Sequence, residues 1–235
     1  RAKSGGFSFI KMIIPNIFGP FGQPYYNSFI TTFCHQLIKK EKPEIIQDSE
    51  IPLIYVEDVV CQILEMIKLK GIHDIDVSNQ INKKVSEILT QLKAFHAIYV
   101  QNGEIPEFQT IFDIQLFNTF RAAICLKDSF PRYYKIHSDK RGYFSELIRA
   151  NSKGQVSFSI TKPGVTRGDH FQTRKIERFS VIQGNAKLAL RTVGKKNSIE
   201  FKLNGKKPAY VNIPIWTTHN ITNIGDAALI TSFWI

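Results

Sequence analysis

Residues 7–14 (FSFIKMII) form an apolar, β-branched run closed by Pro15, the pattern of a strand buried in a parallel sheet. Residues 27–40 set Phe29, Ile30, Phe33 and Leu37 at helical spacing and end on Lys39 and Lys40. Residues 57–69 repeat that spacing, with Glu57 and Asp58 in the first turn, where the helix dipole favours acid. Residues 85–97 give a third amphipathic helix. Beyond about residue 130 the period falls to two. Segments 155–160, 178–182, 186–191, 198–203, 209–213 and 228–234 alternate, and Lys-Gly, Pro-Gly, Gln-Gly-Asn, Gly-Lys-Lys and Asn-Ile-Gly-Asp separate the runs. Many short strands so spaced predict an antiparallel sandwich or barrel. The chain therefore reads as two domains, an α/β part at residues 1–130 and an all-β part at 138–235, with the boundary at 130–138.

Charge sharpens this division. The 235 residues carry a net charge of +11. Residues 139–235 hold 16 Lys/Arg against 6 Asp/Glu, whereas residues 1–138 hold 15 against 14. A basic second half suits an anionic partner: nucleic acid, a membrane surface or a phosphorylated small molecule. No nucleic-acid-binding module motif is present. The uncharged stretch Met12–Ile38 contains Pro15, Pro20 and Pro24 with Asn16, Gln23 and His35, which argues against a membrane span. Three cysteines (Cys34, Cys61, Cys125), odd in number and without metal-finger spacing, suit a reduced, intracellular compartment. The chain opens without Met or a signal peptide, as if inside a domain, and a fragment is expected.

Candidate chemistry gathers in the second half. Residues 164–184 contain Gly164, His170, Gln172, Glu177 and Gly184; residues 214–223 contain Pro214, Trp216, His219 and Asn223. On a strand His170 and Gln172 share a face, since side chains alternate. Glu177 can return to that place across a turn, and His219 can reach it from another strand. Two imidazoles and a carboxylate converging in a small barrel would hold a divalent cation, with zinc the first choice. His35, His73, His96 and His137 read as ordinary core or surface residues.

These residues resemble the two-part cupin signature, G-x5-H-x-H-x4-E-x6-G followed by P-x-G-x2-H-x3-N, with Gln172 in place of the second His and Trp216 in place of the Gly. Asp139-Lys-Arg-Gly-Tyr-Phe-Ser-Glu146 and Arg167-Gly-Asp-His-Phe-Gln172 also resemble segments of the sugar-nucleotide 3,5-epimerases. That resemblance implies His170 as general base and Arg167 or Arg141 as a substrate ligand, with Gln172 a further substrate contact; epimerisation also needs a proton donor on the opposite face, for which Tyr143 and Tyr210 are the candidates. Those epimerases are metal-free, so Glu177 leaves two roles open for His170: base, or metal ligand with Glu177 and His219.

Residues 14–26 (IPNIFGPFGQPYY) and 53–60 (LIYVEDVV) resemble late segments of extended short-chain dehydrogenase/reductases acting on sugar nucleotides, with Asn16 facing substrate. No G-x-x-G-x-x-G turn is present, and no Tyr is followed by Lys four residues on. The order of reductase tail then cupin resembles the bifunctional capsular-polysaccharide enzymes of the CapF type. The resemblance implies a partial Rossmann-type reductase followed by a jelly-roll cupin. It implies epimerisation at carbon 3 of a UDP-linked 4-keto-6-deoxy-N-acetylhexosamine and, in the intact parent only, NADPH-dependent reduction at carbon 4. It implies a cytoplasmic homodimer that engages neither nucleic acid nor membrane. The competing expectation is a catalytically silent cupin with a dimerising or structural role.

Overall fold

A computed structural model of the chain describes residues 7–77, 80–139, 142–144, 147–148 and 154–235. They form two compact units, Arg1–Ala97 with Gln109–Ala123, and Ile98–Phe108 with Ile124–Ile235. Among the described residues, no helix is long and apolar enough to cross a membrane.

The first unit opens with strands β1 (Phe9–Ile13) and β2 (Asn16–Phe18) and helix α1 (Phe29–Ile38). Then come β3 (Glu50–Tyr55), α2 (Val56–Met66), β4 (Ile72–Asp76), β5 (Ile81–Lys84), α3 (Val85–Phe95) and α4 (Ile111–Ala122). Strand β1 pairs parallel with β4, as the apolar run predicted, but its burial is not as expected: Phe9 is 54% and Ile13 59% exposed. Strands β2, β3 and β5 make a separate three-stranded sheet, parallel then antiparallel. A continuous Rossmann-type sheet is not among the described elements. The core lies between helices, where Ile30, Leu92, Phe95, Phe117 and Phe120 are buried and the Phe95 and Phe117 rings meet at 5.0 Å.

Helix α4 was not foreseen. Its C-terminal half, from Leu116 to Arg121, is buried on every side, so it shows no amphipathic stripe. The readable signal was its start. Thr110 Oγ1 accepts from the Asp113 amide at 3.2 Å, and Asp113 Oδ2 accepts from the Thr110 amide at 2.8 Å, a reciprocal cap. Burial pushes the Asp113 carboxyl up, but hydrogen bonds from Gln91, Thr110 and Gln109 outweigh it and hold the group below its ordinary 3.8. Because the folded value is depressed, the stabilisation is fully present above the ordinary value and is lost as pH falls through the folded one. Asp113→Ala is expected to cost about 1–2 kcal/mol at neutral pH, read by thermal unfolding. The difference from the parent should shrink in acid below the ordinary carboxylate range.

A π-helical turn (His96–Gln101) carries the chain from the first unit into the second, which also holds a short helix α5 (Leu126–Ser129). The short strands β6 (Arg132–Tyr133), β7 (His137–Asp139) and β8 (Gly142–Phe144) follow. Eight strands then complete it: β9 (Val156–Thr161), β10 (Thr166–His170), β11 (Glu177–Gln183), β12 (Asn185–Thr192), β13 (Ile199–Asn204), β14 (Ala209–Ile213), β15 (Thr217–Asn223) and β16 (Leu229–Trp234). They build a four-stranded sheet, β10-β15-β12-β13, and a five-stranded sheet, β6-β14-β11-β16-β9. Two antiparallel sheets crossed by long connections are a cupin-like jelly roll.

Alternation along the strands sorts the interior. Leu188, Leu190, Phe201, Leu203, Val181, Val211 and Ile213 fill one part with apolar groups. Strands β9, β10 and β16 supply polar groups instead: Ser159 Oγ lies 2.7 Å from Thr231 Oγ1, and Arg167 Nε donates to Thr161 Oγ1 at 3.1 Å. Segment 98–108 packs on the outer face of the five-stranded sheet through Arg178. This side chain is 2% exposed and donates to Gly103 O at 2.7 Å and to Asn212 Oδ1 at 2.8 Å.

Candidate functional site

Three of the residues picked out by spacing converge in the second unit. His170 stands at the end of β10, Glu177 at the start of β11 and His219 in the middle of β15. One potential ligand atom from each lies within 4.8 Å of the other two. Glu177 and His219 are 3% and 2% exposed, whereas His170 is exposed. The two imidazole rings meet edge to face at 4.7 Å, and Phe179 closes the inner side with its ring 5.4 Å from that of His219.

A bulge brings His170 to this face. Antiparallel pairing of β10 with β15 runs Thr166↔Thr222, Arg167↔Ile221, Gly168↔Asn220 and then jumps to His170↔His219. Asp169 is the extra residue. With strict alternation Arg167 and His170, three apart, would lie on opposite faces. With the bulge, Arg167 shares the inner face of Ile221, and His170 that of His219. Gly168 makes this possible: its φ is +110°, and a Cβ there would sit 2.7 Å from His219 O.

Buried Glu177 and His219 face each other without pairing. Glu177 Oε2 is 3.3 Å from His219 Nε2, yet both atoms are buried with no hydrogen-bond partner among the described residues. Burial pushes the Glu177 carboxyl up against the pull of His170 and Lys175. Burial first, and His170 second, push the His219 imidazole down to about 4. The contact is therefore not a salt bridge at neutral pH. His219 Nδ1 lies 3.5 Å from Thr217 O, an acceptor; with the ring proton on Nδ1, the lone pair of Nε2 faces the carboxyl. Two orphaned buried acceptors, with a third imidazole within reach, fit a divalent cation.

The other expected residues divide. Arg167 is on the inner face, and besides Thr161 its guanidinium reaches Ile160 O at 3.3 Å. Gln172 corrects a simple expectation. Strand β10 ends at His170, so alternation does not extend to Gln172, whose carbonyl instead accepts from the Trp216 amide at 2.8 Å. The two departures from the cupin signature thus bond to each other. Trp216 holds φ at +56°, a conformation suited to the Gly of the signature, and stacks on Phe171 at 5.4 Å. Tyr210 is not at the site. It pairs with Ser180 and lies beneath the Arg178 guanidinium at 3.9 Å, on the sheet face opposite Glu177. Tyr143 is in β8, with its side chain outside the described residues, as is the whole of Arg141. Asn16 belongs to the first unit, where it is exposed and donates to Pro52 O at 3.5 Å.

The remaining signature positions shape the backbone. Gly184 turns β11 into β12 with φ +90°. Asn223, 1% exposed, donates to Thr161 O and Ala227 O, both at 2.9 Å, and accepts from the Gly225 amide at 3.0 Å. The residue that sequence reasoning missed is Asp169, whose position after Gly168 was the clue to the bulge.

Known proteins share this arrangement of chain. Over 225 residues the protein is 34% identical to the UDP-2-acetamido-2,6-beta-L-arabino-hexul-4-ose reductase of Pseudomonas aeruginosa, covering 94% of this chain and 60% of that protein. Over 103 residues it is 25% identical to the spore coat polysaccharide biosynthesis protein SpsL of Bacillus subtilis, covering 40% and 68% respectively. The solved structure of the capsular polysaccharide assembling protein CapF of Staphylococcus aureus matches with a TM-score of 0.54 at 31% identity, covering 95% of this chain and 61% of that one. The chain thus spans about 60% of the length of the reductase and of CapF. Residues 137–235, which carry the whole His170–Glu177–His219 cluster, match the family described as the polysaccharide biosynthesis C-terminal domain.

Proposed function

We propose that the second unit epimerises carbon 3 of a UDP-linked 4-keto-6-deoxy-N-acetylhexosamine used in surface-polysaccharide synthesis. The observation that carries this reading is the meeting of His170, Glu177 and His219 on the polar inner face, with two orphaned buried acceptors. The similarity to a reductase of a UDP-linked 4-keto sugar and to CapF supports the substrate class. Carbon 3 lies beside the ketone, so its proton is acidic: removal leaves an enolate, and return from the other face inverts the centre.

Within the chain each residue has a part. Exposed His170 is the cluster member open to a sugar, and its imidazole takes the carbon-3 proton. Arg167, on the same inner face, offers a cation to the sugar-nucleotide. Glu177 and His219, with or without His170, would hold a zinc ion, which when bound supplies positive charge for a developing oxyanion. As part of a longer protein, the first unit would belong to an NADPH-dependent 4-keto reductase, with Asn16 towards the sugar. The 34% identity that runs through both units supports this.

The test is solvent exchange. Incubated in D2O with UDP-2-acetamido-2,6-dideoxy-hexos-4-ulose, the chain should place deuterium at carbon 3, followed by NMR or mass spectrometry. A wild-type chain that binds zinc, retains its fold and exchanges no proton would overturn the epimerase reading in favour of a silent, structural cupin.

A further inference from the structure

We infer that Asn220 is a positioning residue for His170, acting through Asp169. The bulge that aims His170 inwards leaves Asp169 in the left-handed region, at φ +66°. A non-glycine residue there carries strain, which Asp tolerates when its short polar side chain finds a local partner. That partner is on the neighbouring strand: Asn220 Nδ2 donates to Asp169 Oδ1 at 2.7 Å. The arrangement is a cross-strand clamp. Asp169 precedes His170 and Asn220 follows His219, so the bond on the outer face ties together the backbone that presents the two imidazoles on the inner face. Thr166 and Thr222, one rung along, make a hydroxyl contact at 2.8 Å that holds the pair in register up to the bulge. Beyond it, the Asp169–Asn220 bond is the side-chain link that opposes relaxation to regular pairing. Such a slip would set Asp169 opposite His219 and turn His170 outwards.

The bearing on catalysis rests on the epimerase reading above; the bearing on His170 position does not. The discriminating variants exchange donor and acceptor. Asn220→Asp sets two carboxylates against each other. The double variant D169N/N220D restores the bond with its direction reversed and keeps at position 169 a residue that tolerates the left-handed region. Three readouts apply to each variant after thermal unfolding has established that it is folded: the imidazole 15N and 1H shifts of His170 in the metal-free protein, zinc affinity by chelator competition, and carbon-3 exchange. For Asn220→Asp we expect displaced His170 shifts, zinc affinity lowered about 10–100-fold, and a fall in kcat with little change in KM. The double variant should recover most of each. If Asn220→Asp keeps parental His170 shifts and zinc affinity, or if the double variant fails to recover them, the clamp does not position His170. If the parent itself neither binds zinc nor exchanges, the functional reading fails, while the shifts still decide the clamp.

Discussion

His170→Ala should lower carbon-3 exchange by about 10²–10⁴-fold, the range for loss of a positioned acid–base group. Folding should be untouched, because the side chain is exposed and the apolar interior lies elsewhere. The same variant separates the two roles that sequence leaves open. If His170 is the base alone, zinc content stays at the parental level while exchange falls, since buried Glu177 and His219 remain. If His170 is also a ligand, zinc affinity and exchange fall together. Unchanged exchange in His170→Ala would remove His170 from the reaction and leave the cluster with a structural role. Substituting Glu177 would be a poorer first test: it is 3% exposed, so loss of activity could follow from repacking alone.

How much of this was readable in the chain depends on whether local pattern or tertiary pairing decided it. Strands β12 and β13 were legible because one face of each is more deeply buried than the other, so the period of two is written in the residues: they were read as 186–191 and 198–203 and occupy Asn185–Thr192 and Ile199–Asn204. The convergence of His170, Glu177 and His219 was legible too, since glycines and prolines mark the turns between them. Pairing decided the rest. Period two placed Gln172 with His170, but the strand stops first, and the backbone of Gln172 is used to seat Trp216. Period two would also have parted Arg167 from His170, and only the bulge reunites them. In the first unit α4 was hidden by the all-round burial of its C-terminal half, and the parallel pairing of β1 was visible while its exposure was not.

Gly168→Ala should be among the more damaging small substitutions in the second unit, and the one that acts directly on the site. Two independent effects act at that position. The backbone holds φ at +110°, which a side chain makes costly, and the new methyl would lie 2.7 Å from His219 O and 3.0 Å from Asn220 Cα, both of them backbone atoms. A flexible neighbour could move aside; a paired strand cannot without shifting His219 itself. We therefore expect a stability loss of about 2–4 kcal/mol, together with a fall in zinc binding and in exchange at least as large as that of His170→Ala. Gly164→Ala is the matched control. Its φ is also positive, at +73°, but no atom lies within 4 Å of the added methyl, so only backbone strain of about 1 kcal/mol applies and the site should survive. Thermal unfolding, zinc titration and exchange on the two variants side by side separate strain from displacement. Should Gly168→Ala match Gly164→Ala in zinc affinity and exchange, the close approach of β10 to His219 would not be what builds the site.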